Sequence, residues 1–78
     1  MKVLLYGSLR DAIGRDAAVD AAQGCSVADL RQRLASDHPA AAMTLQRSRA
    51  FIADRLVADS HVPGATDVIE FLPPVSGG

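Results

Sequence analysis

The sequence predicts an α+β fold in which a β-sheet packs against one main helix. Residues 68–72 predict a strand, because Ile69 and Phe71 alternate with the charged Glu70. A segment that begins after Ser26 has the pattern of a capped amphipathic helix. Neither element can bury its apolar side alone, so each must cover the other. The 78 residues suffice for one such domain.

The N-terminal part of the chain predicts an opening β-hairpin. Residues 2–6 form a short apolar run that stops at Gly7, and residues 17–22 form a second candidate strand that Gly24 ends. Alanine prefers helices, so the second strand is favoured only because the segment is too short for a helix. Residues 9–14, between the two strands, predict a loop or a single helical turn.

Sequence signals mark both ends of the main helix. Ser26 can cap its first turn, and Asp29, three residues later, completes the pattern of a capping box. The helix should end near His38, because Pro39 disfavours helical geometry in the residue before it.

The side chains of this helix divide into two sets. Val27, Leu30 and Leu34 share one helical face and should point into the core. Arg31 and residues 32–33 lie off that face, and we expect them in solvent.

The second half of the chain predicts two strands before the last one. Residues 40–47 form a short helix or a loop, and residues 49–54 predict a strand. A turn then leads into a short strand over residues 56–58, and a Pro-Gly pair marks a further turn. We expect the core to consist of valines, leucines and isoleucines together with Phe51 and Phe71.

Composition argues against several classes of function. The net charge of -1, two Phe, one Tyr and no Trp provide neither the basic surface nor the stacking platform of a nucleic-acid-binding protein. One cysteine allows no internal disulfide and no cysteine zinc site. No apolar stretch has the length of a membrane span or of a signal peptide. We therefore expect a cytoplasmic protein.

No side chain stands out as a catalytic group. His38 and His61 are isolated in the sequence, and the carboxylates show no metal-ligand spacing. Cys25 precedes Ser26 and can pack against Leu30 as a hydrophobic staple, whereas a reactive thiol at a helix N-terminus is the alternative. We expect no catalytic side chain and no metal site.

The end of the chain gives the strongest functional signal. Pro73 and Pro74 stop the last strand, because they remove two backbone donors and fix two φ angles. The residues after them can extend away from the sheet, and Gly77 and Gly78 are thin enough to enter a narrow active site. Such a tail would deliver the α-carboxylate of Gly78 to another protein, and a frayed terminus is the alternative.

Three segments together resemble one known family. They are the ending Phe71-Leu72-Pro73-Pro74-Val75-Ser76-Gly77-Gly78, the opening Val3-Leu4-Leu5-Tyr6-Gly7-Ser8-Leu9-Arg10-Asp11-Ala12-Ile13-Gly14 and the helix start Ser26-Val27-Ala28-Asp29-Leu30. Each is similar to the matching segment of the small subunit of molybdopterin synthase, a sulfur-carrier protein. The similarity covers most of the chain, and the tail is its most specific part.

The resemblance implies a β-grasp, ubiquitin-like fold with a mixed sheet packed on one main helix. The domain would span residues 1–72, and residues 73–78 would form a flexible, extended C-terminal Gly-Gly tail. It also implies a non-catalytic carrier in molybdenum cofactor biosynthesis that binds no cofactor stably. An ATP-dependent adenylyltransferase, similar to ubiquitin-activating enzymes, would adenylate Gly78, and a sulfur donor would convert it to a thiocarboxylate.

The resemblance further implies the place where the sulfur is used. The tail, Pro73 to Gly78, would enter the active site of the large catalytic subunit and give its sulfur to a cyclic pterin monophosphate. Leu72 and Tyr6 are candidate docking residues. If Ile69 and Phe71 point under the helix, Leu72 lies on the opposite, uncovered face of the sheet, where a small apolar patch can bind a partner.

Two turns depart from the pattern of the family. Ala53 and Asp54 stand where such proteins often have Val-Asn, and residues 65–67 replace an Asp-Gly-Asp turn. Thr66 tolerates positive φ poorly, which predicts a different turn there.

Other functions remain open at this stage. One is a sulfur carrier for thiamin, cysteine or tRNA thiolation, and another is a ubiquitin-like modifier joined to lysines. A binding module whose Gly-Gly is incidental is the third.

Overall fold

The computed structural model describes residues 2–18 and 24–74. A short helix joins its first two strands. β1 (Lys2–Leu5) leads into α1 (Gly7–Ile13), and β2 (Asp16–Ala18) returns antiparallel to β1. The predicted hairpin is therefore confirmed, but seven helical residues replace the expected loop or single turn. The second strand begins one residue earlier than predicted, and residues 19–23 lie outside the described part.

The main helix, α2 (Val27–Asp37), has the boundaries that the sequence predicts. The Ser26 hydroxyl accepts a hydrogen bond from the Asp29 amide at 3.2 Å, and the Asp29 carboxylate accepts one from the Ser26 amide at 3.0 Å. This capping box satisfies amides that the helix itself leaves without partners. At the other end, the His38 amide donates to Leu34 as the helix stops before Pro39.

A distant loop binds the first turn of α2. The Val27 amide donates to the His61 carbonyl at 2.9 Å, and the Ala28 amide donates to the Asp59 carbonyl at 3.0 Å. Together with the capping box, these bonds use the amides of the first three helical residues. The helix N-terminus is therefore closed by the chain itself and offers none of these amides to an anion.

The second half of the chain supplies the remaining elements. The segment that the sequence leaves open as a helix or a loop is helical. The elements are one 3-10 turn (Pro39–Ala41), α3 (Ala42–Arg47), β3 (Arg49–Ile52), β4 (Arg55–Val57) and β5 (Val68–Leu72). In residues 2–18 and 24–74, no helix combines the length and apolar character needed to cross a membrane.

The five strands form one mixed sheet in the order β2-β1-β5-β3-β4. β1 and β5 lie at its centre and pair in parallel, from Lys2 opposite Val68 to Leu5 opposite Phe71. The other pairs are antiparallel. This arrangement confirms the mixed sheet packed on a main helix that the resemblance implies.

The core lies between one face of the sheet and the helices. Its buried apolar residues form a single cluster: Val3, Leu5, Leu9, Val27, Leu30, Leu34, Ala41, Leu45, Ala50, Ile69 and Phe71. The expectation for Phe51 was wrong. It is only half-buried, because its pairing opposite Glu70 and Leu56 places it on the other face of the sheet.

The two turns that depart from the family pattern have different geometries. Ala53 and Asp54 both have positive φ, 50° and 65°, as a two-residue hairpin of type I′ requires. In the second turn, the Asp67 amide donates to the Gly64 carbonyl at 3.1 Å, and neither Ala65 nor Thr66 has positive φ. Thr66 therefore adopts no positive φ, and whether this turn differs from that of the family stays a prediction.

Arg31 joins several elements, and its expected place in solvent was wrong. Its side chain is 11% exposed, and its guanidinium lies 5.0 Å from the centre of the Phe71 ring. One terminal nitrogen donates to the Leu45 carbonyl and to the Ser48 hydroxyl, and Nε donates to Asp59 at 2.9 Å. The guanidinium thus ties α2 to the end of α3 and to the loop that caps α2.

Replacement of Arg31 should destabilise the domain far more than replacement of a solvent-exposed arginine on the same helix. Arg31→Ala removes hydrogen bonds and a cation–π contact, and we expect a loss of about 2 kcal/mol in the free energy of unfolding. Asp59 is 60% exposed, so the ion pair itself contributes little to this loss. Arg33→Ala, at an exposed position, should change the free energy by less than about 0.5 kcal/mol. Urea denaturation measures both, and equal losses would contradict the role of Arg31.

Candidate functional site

The proposed tail begins at the centre of the sheet. β5 lies between β1 and β3, and it ends at Leu72, so Pro73 and Pro74 continue from an inner strand. The structure thus gives the point where the tail starts. Val75, Ser76, Gly77 and Gly78 lie outside the described residues, and their assigned roles stay predictions.

Gly7 and Pro73 approach each other closely at this point. A Cβ atom on Gly7 would lie 2.9 Å from Cγ of Pro73, and Gly7 has a φ of +58°. Glycine is favoured there because the backbone is left-handed and the proline ring leaves no room for a side chain. Sequence reasoning missed this contact, because it treated Gly7 only as the end of a strand. The contact fixes the base of the tail against the start of α1.

Gly7→Ala should destabilise the domain through this contact. We expect a loss of about 1 to 2 kcal/mol, because the new methyl group adds an overlap with Pro73 to the cost of a left-handed alanine. Gly24→Ala is the matched control, since Gly24 also has positive φ but no atom within 4 Å of the added Cβ.

A double-mutant cycle separates the two costs. Pro73→Ala removes the ring atom that the new methyl group would meet, so it should recover part of the Gly7→Ala loss. It should not recover any of the Gly24→Ala loss. Strictly additive effects of Gly7→Ala and Pro73→Ala would contradict the contact.

The face of the sheet opposite the core carries apolar side chains, and we call it the outer face. The strand registers place eight residues on this face, omitting β2: Lys2, Leu4, Arg49, Phe51, Leu56, Val68, Glu70 and Leu72. Tyr6 directly follows β1, and its hydroxyl reaches Glu70 on this face. Tyr6, Val68 and Leu72 are each close to 40% exposed, and Leu56 is 63% exposed. The predicted placement of Leu72 opposite the core is therefore confirmed, and Tyr6 is exposed beside it.

Two shallow recesses of the outer face adjoin the base of the tail. The first encloses about 360 Å³ and is lined by Tyr6, Phe51, Asp54, Glu70 and Leu72. The second encloses about 310 Å³ and is lined by Arg49, Phe51, Leu72, Pro73 and Pro74. They share Phe51 and Leu72, so the outer face and the tail base form one continuous surface.

A hydrogen bond crosses the first recess. The Tyr6 hydroxyl donates to the Glu70 carboxylate at 2.5 Å. This bond raises the pKa of Tyr6, and burial and the negative charges of Glu70 and Asp54 raise it further. Sequence reasoning placed Glu70 on this face but missed its bond to Tyr6 and the contribution of Asp54, which lies in a turn.

The titration of Tyr6 should report this bond directly. Tyr6 is the only tyrosine and the chain has no tryptophan, so tyrosinate absorbance comes from one residue. We expect a midpoint above the ordinary value of about 10 and a fall towards that value in Glu70→Gln. Because the pKa is raised in the folded state, the associated stability is present below pH ~10 and is lost as the pH rises through the folded pKa.

Asp16→Asn is the control for this titration, since Asp16 is exposed and pairs opposite Leu4 rather than beside Tyr6. It should leave the midpoint unchanged. A midpoint that Glu70→Gln does not move would show that Tyr6 is not bonded to Glu70 in solution.

The other candidate side chains have structural roles or lie apart. His38 caps the end of α2, and the His61 carbonyl caps its beginning. Cys25 is a half-buried free thiol, and its packing against Leu30 stays a prediction. Within the two described ranges, no three His, Cys, Asp or Glu side chains come together as metal ligands.

Comparison with known proteins adds to this geometry. A model of the ThiS family matches residues 3–78. The molybdopterin synthase sulfur carrier subunit of Escherichia coli (strain K12) is 34% identical over 80 residues, which cover 100% of this chain and 99% of that protein. The resemblance seen in the sequence is thus confirmed over the full length.

Solved structures share the fold. The crystal structure of SAMP1 from Haloferax volcanii matches with a TM-score of 0.82 at 24% identity, covering 99% of this chain and 97% of that one. A chain in the complex of subunits 1 and 2 of molybdopterin-converting factor from Helicobacter pylori 26695 matches with a TM-score of 0.67 at 20% identity, covering 99% and 96%. These likenesses confirm the fold expected from the sequence.

Proposed function

We propose that this chain, which belongs to the ThiS family, is a sulfur carrier whose working group is the C-terminal carboxylate of Gly78. We assign it to molybdopterin synthesis, as the small subunit of molybdopterin synthase. The full-length identity of 34% to a carrier subunit of that enzyme is the observation that carries this proposal. The proline-led tail is consistent with it.

The chemistry needs an activated carboxylate. In the proposed cycle, the Gly78 carboxylate attacks the α-phosphate of ATP on an activating enzyme and releases pyrophosphate. Sulfide from a donor then attacks the acyl carbon and expels AMP, which leaves a thiocarboxylate. Inside the large subunit, the thiocarboxylate sulfur attacks a carbon of the cyclic pterin monophosphate and displaces an oxygen leaving group, which links carrier and pterin as a thioester. Water then attacks the acyl carbon and breaks its bond to sulfur, so that the sulfur stays on the pterin and the Gly78 carboxylate is restored. The carrier supplies the sulfur at high effective concentration and no catalytic side chain.

The described structure supports this role by the position of the base of the tail, Pro73 and Pro74. The tail starts from an inner strand, and the contact of Pro73 with Gly7 fixes its base. The outer face beside it presents Tyr6 and Leu72 to a partner. We propose that these two residues dock on the large synthase subunit. The solved complex of two molybdopterin-converting factor subunits from Helicobacter pylori gives a precedent for such a pair on this fold.

Intact-mass measurement tests the carrier function. Incubation with the activating enzyme, ATP and sulfide should add the mass of one oxygen-to-sulfur exchange. A variant that lacks Gly78 should gain nothing, because no other group carries the sulfur. Sulfur bound by the truncated chain would contradict Gly78 as the working group.

The same mixture separates the pathways. Addition of the large synthase subunit and a cyclic pterin monophosphate should return the carrier to its original mass. A carrier that keeps its sulfur beside an active large subunit would belong to another thiolation pathway.

A ubiquitin-like modifier is the second candidate. The fold also matches two solved structures from Haloferax volcanii, one of SAMP1 and one of small archaeal modifier protein 1. The protein name of the second structure is the observation that favours a modifier function. That function predicts isopeptide adducts between Gly78 and lysines of other proteins, detected as a mass increase equal to the carrier less one water. Such adducts, without sulfur transfer to the pterin, would replace the first proposal by the second.

A further inference from the structure

Glu70 has apolar neighbours on the outer face, and Lys2 and Arg49, which lie on the same face, form no ion pair with it. On the neighbouring strands it lies opposite Leu4 and Phe51, and along its own strand it is flanked on the outer face by Val68 and Leu72. A partner that covers these apolar side chains must cover the Glu70 carboxylate as well. The negative charge of Glu70 at the centre of the docking surface therefore has to be compensated when a partner binds, which is an electrostatic requirement.

The chain itself meets only part of that requirement. Among residues 2–18 and 24–74, Tyr6 is the one hydrogen-bond donor to the Glu70 carboxylate, and no lysine or arginine forms an ion pair with Glu70 or Asp54. A carboxylate has about four acceptor sites, and water fills the rest while the face is open. Removal of that water without a positive partner is unfavourable, because the charge is then buried unpaired.

We propose that one basic side chain of the partner subunit enters the recess lined by Tyr6, Phe51, Asp54, Glu70 and Leu72 and pairs with the Glu70 carboxylate. This inference rests on the proposed function, since it concerns docking on the large synthase subunit.

The shape and chemistry of the recess favour this occupant. About 360 Å³ holds one long side chain, and Asp54 at the rim adds a second negative charge. The rings of Tyr6 and Phe51 provide aromatic walls, on which a guanidinium packs well. Arginine therefore suits the recess better than lysine. Tyr6 holds the carboxylate in place before the partner arrives, so little has to be ordered on binding.

The pairing would also orient the tail. The recess shares Phe51 and Leu72 with the surface formed by Pro73 and Pro74. A salt bridge at the recess therefore fixes the partner at a short distance from the start of the tail. Apolar contacts alone allow sliding, whereas one directional charge pair selects a register.

Calorimetric titration of the full chain with the large synthase subunit, at low and high ionic strength, tests the proposal. Glu70→Gln keeps the size of the side chain but removes its charge, and it should raise Kd about 10-fold or more. It should also flatten the dependence of Kd on salt. Asp54→Asn should raise Kd about 2- to 3-fold, because Asp54 is exposed at the rim.

Two matched variants calibrate the measurement. Asp37→Asn removes an exposed carboxylate at the end of α2, away from the outer face, and should leave Kd within about twofold. Leu72→Ala should weaken binding, because it removes apolar contact area from the docking face. Thermal unfolding of each variant confirms that the domain is intact.

The outcomes separate this inference from the proposed function. If Leu72→Ala weakens binding while Glu70→Gln and Asp54→Asn bind like the original chain, or more tightly, the basic partner group is overturned and the docking face stands. If none of the variants changes Kd, the outer face is not the interface, although the carrier function stands. If the original chain gains sulfur but does not bind the large subunit, both the inference and the assignment to molybdopterin synthase are overturned.

Discussion

The parallel pairing of β1 with β5 is the constraint on which the candidate site depends. It places the first and last strands of the described chain side by side at the centre of the sheet. With Leu5 opposite Phe71, the residues that follow the paired segment bring Tyr6 and Leu72 to one recess and Gly7 against Pro73. A slip of one residue would exchange the core and outer faces of β5. The register therefore determines both what is buried and what a partner meets.

Within residues 2–18 and 24–74, only one face of the sheet is covered. The helices and the described core occupy a single side of the sheet. Arg31, which is largely buried, lies on this side over the Phe71 ring and donates to the Leu45 carbonyl. Among the described residues, the uncovered face lies beside the start of the proposed tail. The core and the proposed docking surface thus lie on opposite sides of the same sheet.

Local signals made much of the fold predictable, and contacts between distant segments made the rest unpredictable. The capping box, Pro39 and the alternation around Glu70 located α2 and β5 correctly, because each acts within a few residues. The apolar character of Phe51 suggests the core, but its position depends on its pairing with β5. The place of Arg31 off the apolar face of α2 suggests solvent, but its guanidinium bonds to groups of α3 and of a later loop. The contact of Gly7 with Pro73 joins the two ends of the sequence and has no local signal. In the candidate site, the exposure of Leu72 could be predicted from the alternation along its strand, but its neighbours in the recess could not. The roles of residues 75–78 remain predictions.

The central position of β5 also affects when the sheet can be completed during synthesis of the chain. The ribosome synthesises β1 well before β5, so the inner edge of β1 stays without its partner while most of the chain is still being added. Contacts between such distant segments close late and slow the folding of a small domain. A chain interrupted before residue 68 lacks the strand that completes the centre of the sheet, and it lacks the tail as well. Synthesis in this order adds the strand that completes the sheet and the proposed tail at the same late stage, so an incomplete chain lacks both.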